Sequence, residues 1–281
     1  MTAAATRTTV AATSATTLRG ATVAFRLNLL VAAQYRANLL VWSVVSILQA
    51  VVLLSVWSAV ADAGGGSTGG YTAAEFAGYF LAMLALREFI ATPTLVGEFS
   101  GYVRRGILAT HLLRPLHPLA YIAGGMVAYR LQSAIVMPFV ALALALAFGA
   151  EFATTPSAAA ALLVVVPLAF WTKLLVDAIV ACSAMWLVRI DGIRSIYAMT
   201  MLLLGGQFAP LSAMPDTVAT IARLLPFYWT VGFPTELAIG RVAPSEALVG
   251  TAVLAGWSLV LYLVLQPVWR RGTRAYEAVG Q

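Results

Sequence analysis

The stretch that decides the fold is EFSGYVRRGILATHLLRPLHPL, residues Glu98–Leu119. It lies between two apolar segments that are each long enough to cross a bilayer. Pro115 and Pro118 end any helix here, because proline lacks a backbone N–H donor and clashes with the preceding turn. The basic residues of the stretch are Arg104, Arg105 and Arg114. We therefore predict a short basic helix on the cytoplasmic side, placed to dock a partner rather than to cross the membrane.

The composition is that of a membrane protein. Of 281 residues, 61% are hydrophobic and 10% are charged, and the mean hydropathy is +0.90. Soluble domains average about 25% charged residues. The net charge of +6 could suggest nucleic-acid binding, but the basic residues lie in short segments beside apolar runs, as membrane topology requires. We predict no nucleic-acid partner, and the single cysteine, Cys182, excludes an internal disulfide.

Apolar periodicity divides the chain into two tails and a membrane domain, and it predicts an all-α polytopic protein. Residues 1–17 are rich in Ala and Thr and are predicted to be a disordered cytoplasmic tail. Residues 18–268 form the membrane domain, which begins with an interfacial amphipathic helix over residues 18–36. Residues 269–281 form a basic cytoplasmic tail. Six transmembrane helices are predicted, at about residues 38–60, 72–96, 121–148, 157–187, 196–211 and 247–268.

The positions of the basic residues predict the orientation. Arg223 and Arg241 fall on the proposed outer side, whereas most others fall on the proposed inner side. The inner residues are Arg7, Arg19, Arg26, Arg36, Arg104, Arg105, Arg114, Arg189, Arg194, Arg270, Arg271 and Arg274. Because basic residues concentrate in cytoplasmic loops, both termini are predicted to be cytoplasmic. Frequent Ala, and Arg in preference to Lys, suggest a GC-rich bacterial genome and hence the bacterial plasma membrane.

The segment between the fifth and sixth spans, residues 212–245, is too long for a simple turn. Its prolines divide it into apolar pieces of about eight to twelve residues, which are too short to cross a bilayer. These prolines are Pro215, Pro226, Pro234 and Pro244. We predict short broken helices that cap the outer face, and an ordinary extracellular loop is the alternative. The predicted outer gate is formed by Pro226, Phe227, Tyr228 and Trp229.

Several charges fall inside the predicted spans. Arg87 and Glu88 are adjacent in the second span, and Lys173 and Asp177 are four residues apart on the fourth, so that they can meet on one helix face. Arg130 in the third span has no obvious partner. Charges inside a membrane are costly and mark functional sites by default. Each pair either fixes helix packing or acts directly in substrate binding or gating, and both interpretations stay open.

The sequence does not carry the motifs of common enzymatic sites. A phosphate-binding loop needs Gly, Lys and Ser or Thr together, but the only lysine, Lys173, lies in the apolar context FWTKLLV. His111 and His117 flank Pro115 and do not share a helical face, so no metal site is predicted. Ser, Thr and acidic residues show no nucleophile–base arrangement. We predict no catalytic residue, no metal and no cofactor on this chain.

Three pieces of the chain resemble the ABC-2-type transporter permease family, in its six-span form. The inner piece has a basic residue and Gly, then Leu-Leu-Arg-Pro-Leu and a second Pro: Arg105, Gly106, Leu112, Leu113, Arg114, Pro115, Leu116 and Pro118. The region after the fifth predicted span is similar at Leu211-Ser-Ala-Met-Pro215, Leu225-Pro226-Phe227, Pro234 and Gly240. The ending Arg271-Gly272-Thr273-Arg274-Ala275-Tyr276-Glu277, with Gly280, resembles the short basic tail of the family. The likeness covers about residues 18–281.

The resemblance implies the permease subunit of an ATP-driven exporter, with a coupling helix in the first inner loop and broken helices outside. The substrate class it implies is a drug, an antibiotic, a lipid or a glycan. It implies two copies of a separate ABC ATPase, which would bind ATP and Mg, and a second permease subunit that is a different chain or a second copy. The implied ATPase-coupling residues are Arg104, Arg105, Gly106, Leu112, Leu113, Arg114 and Pro115.

A pathway between two such units is expected to be apolar and aromatic, because the spans offer few polar groups. Met and aromatic side chains adapt to varied apolar ligands. The candidate lining residues are Trp42, Gln49, Phe80, Met83, Met199 and Met201. Helix packing alone is the alternative for each of them. Two other classes of function stay open: an ATP-independent secondary transporter that uses the intramembrane ion pairs, and a membrane scaffold that transports nothing.

Overall fold

The computed structural model describes residues 36–91, 95–114, 116–187, 189–243 and 245–279. The predicted tail over residues 1–17 and nearly all of the predicted interfacial helix over residues 18–36 lie outside the described residues. The described residues form helices joined by short connections, and they form no strand beyond one isolated bridge between Thr68 and Tyr71. The prediction of an all-α protein is confirmed.

The helices of the described residues follow one another with few long connections. In chain order they are α1 (Arg36–Ala63), α2 (Ala73–Ile90), α3 (Leu95–Arg104), α4 (Ile107–Leu112), α5 (Pro118–Ala147), α6 (Pro156–Cys182), α7 (Asp191–Leu204), α8 (Asp216–Leu224), α9 (Pro226–Thr230), α10 (Gly232–Ala238) and α11 (Glu246–Val279). Short 3₁₀ turns occupy Ser183–Met185 and Leu211–Ala213.

Four stretches of the described residues are long and apolar enough to cross a membrane. They are Val41–Ala63, Ala73–Arg104, Pro156–Met185 and Glu246–Tyr276. The helix α5 has 30 residues and contains the apolar stretches Pro118–Val127 and Ser133–Ala147. The chain is therefore a multi-pass membrane protein, and the count of six spans stays a prediction, as do the orientation and the division into domains.

The helix that overlaps the fifth predicted span, over residues 196–211, is short. The helix α7 has 14 residues, which is about 21 Å of helix against about 30 Å of bilayer hydrocarbon. It ends at Leu204, and the chain then turns at Gly206, whose φ of 73° lies in the left-handed region. A Cβ at Gly206 would also lie 2.7 Å from the Tyr79 hydroxyl, so a close approach to α2 requires glycine there.

Within the second predicted span, over residues 72–96, α2 stops at Ile90 and α3 begins at Leu95. The start of α2 is fixed by a capping box. Thr72 Oγ1 accepts a hydrogen bond from the Glu75 N–H, and the Glu75 carboxylate accepts one from the Thr72 N–H. The structure thus divides the long apolar stretch into a membrane helix and a separate amphipathic helix that leads to the inner loop.

The buried side chains form two clusters. The main core surrounds α2, whose rings Phe76, Tyr79 and Phe80 are fully buried between neighbouring helices. The inner core lies at the end of the molecule predicted to be cytoplasmic, where α3 and α4 pack on α5 and α6. Its members include Leu95, Phe99, Leu108, Met126, Cys182 and Met185. The helix α6 takes part in both clusters, so it connects the inner end of the molecule to the outer end.

One face of α1 is apolar and exposed in the single chain. Its side chains point away from both cores, and they include Val41, Trp42, Val44, Leu48, Val52 and Val56. A soluble monomer rarely exposes a contiguous apolar surface of this kind. In a membrane protein such a face is covered by lipid or by another subunit, as expected for the first span.

Candidate functional site

The inner segment, which comprises α3, α4 and the residues up to His117, packs on the rest of the molecule. Leu95, Phe99 and Leu108 of α3 and α4 are fully buried in the inner core. The ring of Phe99 lies 5.9 Å from that of Trp269 near the end of α11, and the His117 ring lies 4.3 Å from the same indole. The segment therefore contacts α5, α6 and α11 together.

The opposite side of the inner segment is exposed. Arg104 and Arg105 are exposed at the end of α3, where Gly106 with a φ of 70° separates α3 from α4. Leu113 is 89% exposed, which is unusual for a large apolar side chain in a loop that does not cross the membrane. We call Arg104, Arg105, Leu113 and Arg114 the coupling surface. Among the other predicted coupling residues, Leu112 packs on the inner core and Pro115 lies outside the described residues.

His111 is a packing group rather than an exposed ligand. Its ring stacks 4.8 Å from Tyr102 and lies 4.9 Å from Tyr121, and the Arg114 guanidinium stands 5.8 Å over the Tyr121 ring. Burial, and then the charge of Arg114, lower the pKa of His111. The neutral ring thus helps to order α4 beneath the coupling surface. Among the described residues, no group of three or more His, Cys, Asp or Glu side chains is arranged to hold a metal.

The charges of the second span do not pair with each other. Glu88 is 5% exposed and accepts hydrogen bonds from Arg130 Nη1 at 2.6 Å and from the Ser133 hydroxyl at 2.5 Å. Arg87 instead donates to Gln49 Oε1 at 3.3 Å. The sequence shows no obvious partner for Arg130, and the structure provides one because α5 passes beside α2 and brings Arg130 to Glu88. Adjacent residues on a helix point in different directions, so Arg87 and Glu88 face different neighbours.

Lys173 and Asp177 meet on α6, as their spacing predicts. Lys173 Nζ lies 2.6 Å and 2.7 Å from the two carboxylate oxygens of Asp177, and both side chains are buried. The Tyr197 hydroxyl on α7 also donates to this carboxylate, and Lys173 Nζ stands 5.2 Å from the Tyr197 ring centroid. The pair therefore joins α6 to the short helix α7. This geometry fits the interpretation that the pair fixes helix packing.

The six candidate lining residues fall into different environments. Trp42 and Met199 are 61% and 57% exposed on α1 and α7, where lipid or a second subunit could reach them. Gln49 is half-buried and accepts a hydrogen bond from the Arg87 guanidinium. The other three are buried within the chain: Phe80, Met83 and Met201. Helix packing accounts for these three in the present arrangement, and the lining of a pathway stays a prediction.

The outer segment is folded into short helices that pack on the molecule. Pro226 begins α9 and is buried with Tyr228, whereas Phe227 and Trp229 are half-buried against the main core. Trp229 Nε1 donates to the Arg223 carbonyl at 2.8 Å. The ring of Trp229 lies 5.2 Å from that of Phe233. The predicted gate residues thus form part of a packed cap, and their role as a gate stays a prediction.

Arg241 clamps this cap to the start of α2. Its guanidinium pairs with Glu75 at 2.5 Å, donates to the Gly70 carbonyl, and stands 4.2 Å over the Tyr71 ring. Nearby, the Tyr228 hydroxyl donates to Glu236 at 2.6 Å. The Glu75 carboxylate therefore pairs with Arg241 of the cap and also accepts the Thr72 N–H at the start of its own helix, α2.

Several of these polar contacts were not predicted from the sequence. Glu236, Arg241, Ser133 and Tyr197 find partners that are far away along the chain or on another helix. Glu236 did carry a signal, because it is a lone acid within the apolar piece PTELAIG. The others show no spacing that separates them from ordinary surface residues.

A comparison with protein families agrees with the architecture. A family model described as "ABC-2 family transporter protein" matches residues 40–280, which is most of the chain. No curated protein and no solved structure matches the chain.

The Lys173–Asp177 pair provides a test of buried charge. Lys173→Met removes the ammonium group that contacts the buried Asp177 carboxylate, and breaking a buried pair in this way costs about 3–5 kcal/mol. We expect Lys173→Met to lower folded yield and thermal stability more than the double variant Lys173→Met with Asp177→Leu. Gel filtration and thermal unfolding in detergent measure both. Arg194→Met is the matched control, since it breaks an exposed pair with Asp191 that contributes little. Equal stability of the single and double variants would contradict a structural pair.

Glu236 provides a test of pH dependence. Burial raises the pKa of Glu236, although Tyr228, Arg223 and Arg241 oppose this shift. A raised folded-state pKa favours the protonated form, so the stability contributed by this group is present at low pH and lost as pH rises through the folded pKa. We expect Glu236→Gln to raise the melting temperature at pH 8, with a smaller difference at pH 5. Glu246→Gln makes the same change at an exposed acid. A wild type more stable than Glu236→Gln at pH 8 would count against this account.

Proposed function

Since the chain belongs to the ABC-2 family of transporter proteins, we propose that it is the membrane permease subunit of an ATP-driven exporter. Members of this family are membrane components of transport, and they work with an ATPase. The observation that carries the proposal is the two-sided inner segment. Its one side is buried in the inner core and its other side is the exposed coupling surface.

The coupling surface has the chemistry of a protein-docking site. It presents three guanidinium groups around one exposed leucine, and Arg is among the residues enriched in protein interfaces. Arg104 and Arg105 end α3, so they add positive charge at the negative end of that helix dipole. An acidic or polar groove on an ATPase would complement this surface. A membrane surface with anionic lipid is the competing occupant.

Motion at the coupling surface would reach the outer end through rigid elements. The inner core joins α3 and α4 to α6 and α11, and α6 packs along α11 for much of its length. At its other end α6 contacts α9 and α10, the short helices of the outer cap. In the proposed cycle, ATP binding on the partner shifts the inner segment, and α6 transmits that shift to the cap.

The proposed assembly follows from this arrangement. Two copies of an ABC ATPase would carry ATP and Mg, and a second permease, either a different chain or a second copy, would complete the pathway. The exposed apolar face of α1 and the exposed side of α7 offer surfaces for that second permease. We place the assembly in a bacterial plasma membrane with both termini in the cytoplasm, because of the distribution of basic residues.

The proposed substrate is hydrophobic or amphipathic. Lys173 and Asp177 satisfy each other, Glu88 is held by Arg130 and Ser133, and the exposed helix faces are apolar. A strongly polar solute would find few partners on such surfaces. A drug, an antibiotic, a lipid or a glycan with an apolar part fits this class.

Charge reversal tests the coupling surface. We expect Arg104→Glu with Arg105→Glu to lower the amount of ATPase that co-purifies with the chain severalfold, because like charges across an interface oppose association. The matched control is Arg270→Glu with Arg271→Glu, which reverses two exposed arginines on α11 outside the coupling surface. Both variants should elute as folded protein. Undiminished ATPase recovery and transport in the first variant would contradict docking at this surface.

A further inference from the structure

A fissure runs between α2, α5 and α6 beside the intramembrane charges. It encloses a cavity of about 110 Å³. Glu88 and Arg130 supply its polar wall, and the rest of the lining is apolar. Phe89 and Val127 at its rim are 47% and 41% exposed, so the fissure opens on the surface of the helix bundle. Its remaining lining residues are Ala91, Met126, Ala134 and Phe170.

The charges around the fissure do not balance. Arg87, Glu88 and Arg130 contribute two positive charges and one negative charge, and Arg87 lies next to the fissure but faces Gln49 rather than the cavity. Gln49 gives Arg87 a neutral acceptor at 3.3 Å. The C-terminus of α2 adds only a partial negative charge near Arg87. The cluster therefore keeps an excess positive charge in a membrane-embedded region, where such charge is costly.

Arg130 is the group of this cluster that a ligand can reach. Its side chain is 21% exposed and lines the cavity, whereas that of Glu88 is 5% exposed. Arg130 Nη1 is bonded to Glu88, and a guanidinium has further N–H donors. An anionic group in the cavity would thus meet a guanidinium with N–H donors beyond the one that Glu88 accepts, and it would offset the excess positive charge of the neighbouring Arg87.

We propose that this fissure binds an amphiphile with one anionic head and one hydrocarbon chain, taken from the surrounding membrane. Arg130 holds the head, and the chain leaves past Phe89 and Val127 along the apolar helix surface. A cavity of about 110 Å³ is smaller than the roughly 300 Å³ or more of a pocket for a whole drug-sized ligand. It therefore fits a head and the first part of a single chain. Binding involves this chain alone and does not require an ATPase.

Photolabelling of the full-length chain in phosphatidylcholine vesicles tests the site. The probe is a hexadecanesulfonate that carries a diazirine in its chain, and the matched probe is the uncharged hexadecanol with the same diazirine. We expect saturable sulfonate labelling of peptides that contain residues 126–134 and 170. We expect about tenfold less labelling by the alcohol, because a charge-assisted hydrogen bond is worth about that factor or more. Equal labelling by the two probes would overturn the proposal.

Two variants test the role of charge in opposite directions. Arg130→Gln removes the contacting cation and should lower sulfonate labelling about tenfold. Glu88→Gln keeps the shape of the side chain and removes the anion that competes for Arg130. The sulfonate probe should therefore label this variant at a lower concentration than the wild type. Arg223→Gln makes the same change as the first variant at an exposed residue outside the fissure, and it should have no effect. If Arg130→Gln fails to fold, Glu88→Gln still decides, since reduced labelling of that variant contradicts the proposal.

Competition identifies the occupant. Unlabelled hexadecanesulfonate should displace the probe from the fissure, whereas phosphatidylglycerol in the vesicles should displace it less well at equal concentration. Stronger displacement by phosphatidylglycerol would overturn the single-chain occupant in favour of a two-chain phospholipid. Because the assay contains no ATPase and measures no transport, failure here leaves the proposed permease function standing.

Discussion

Hydrocarbon cannot solvate a charge or an open backbone group, and this constraint shapes the whole molecule. Every strongly polar side chain in the apolar region has to find a partner within the protein. Lys173 and Asp177 do so on one helix, and Glu88 does so across two helices through Arg130 and Ser133. These contacts set the positions of α2, α5, α6 and α7 relative to one another. The apolar packing of the main core then fills the space between them.

The two clusters of buried side chains stabilise different parts of the fold. The main core holds the aromatic rings around α2 and supports the outer cap, while the inner core holds α3 and α4. The helix α6 joins them, and it also carries the buried ion pair. In the proposed function, an input at the inner end and a response at the outer end would share this helix. This architecture suits a membrane subunit that receives mechanical work from a partner.

The sequence predicted the features that depend on local spacing. The all-α class followed from composition and periodicity, and the contact between Lys173 and Asp177 followed from their separation of four residues. The exposure of Arg104 and Arg105 agrees with the amphipathic pattern of the inner stretch. In each case the decisive residues are close in the chain, so helix geometry alone brings them together.

Contacts between distant residues could not be predicted in this way. Arg130 and Glu88 meet because α5 returns beside α2, and nothing in the spacing of 42 residues indicates that pairing. The spacing likewise gives no indication that Arg241, which follows α10, pairs with Glu75 at the start of α2. The turn after α7 contains Gly206, which has a φ of 73° and whose carbonyl accepts a hydrogen bond from the distant Tyr79 hydroxyl. Such features arise from tertiary packing, which a single sequence does not display.

The proposed contact between the coupling surface and an ATPase can be measured directly by a cross-link. With Cys182, the only cysteine, replaced by serine, Leu113→Cys places one thiol on the exposed side of the inner segment. Met199→Cys places a thiol on the exposed side of α7, outside the coupling surface, as a control. In membranes that contain the assembled complex, a short thiol-to-amine cross-linker should join Leu113→Cys, and not Met199→Cys, to the ATPase. A complex that retains its ATPase but shows no cross-link from Leu113→Cys would contradict the account.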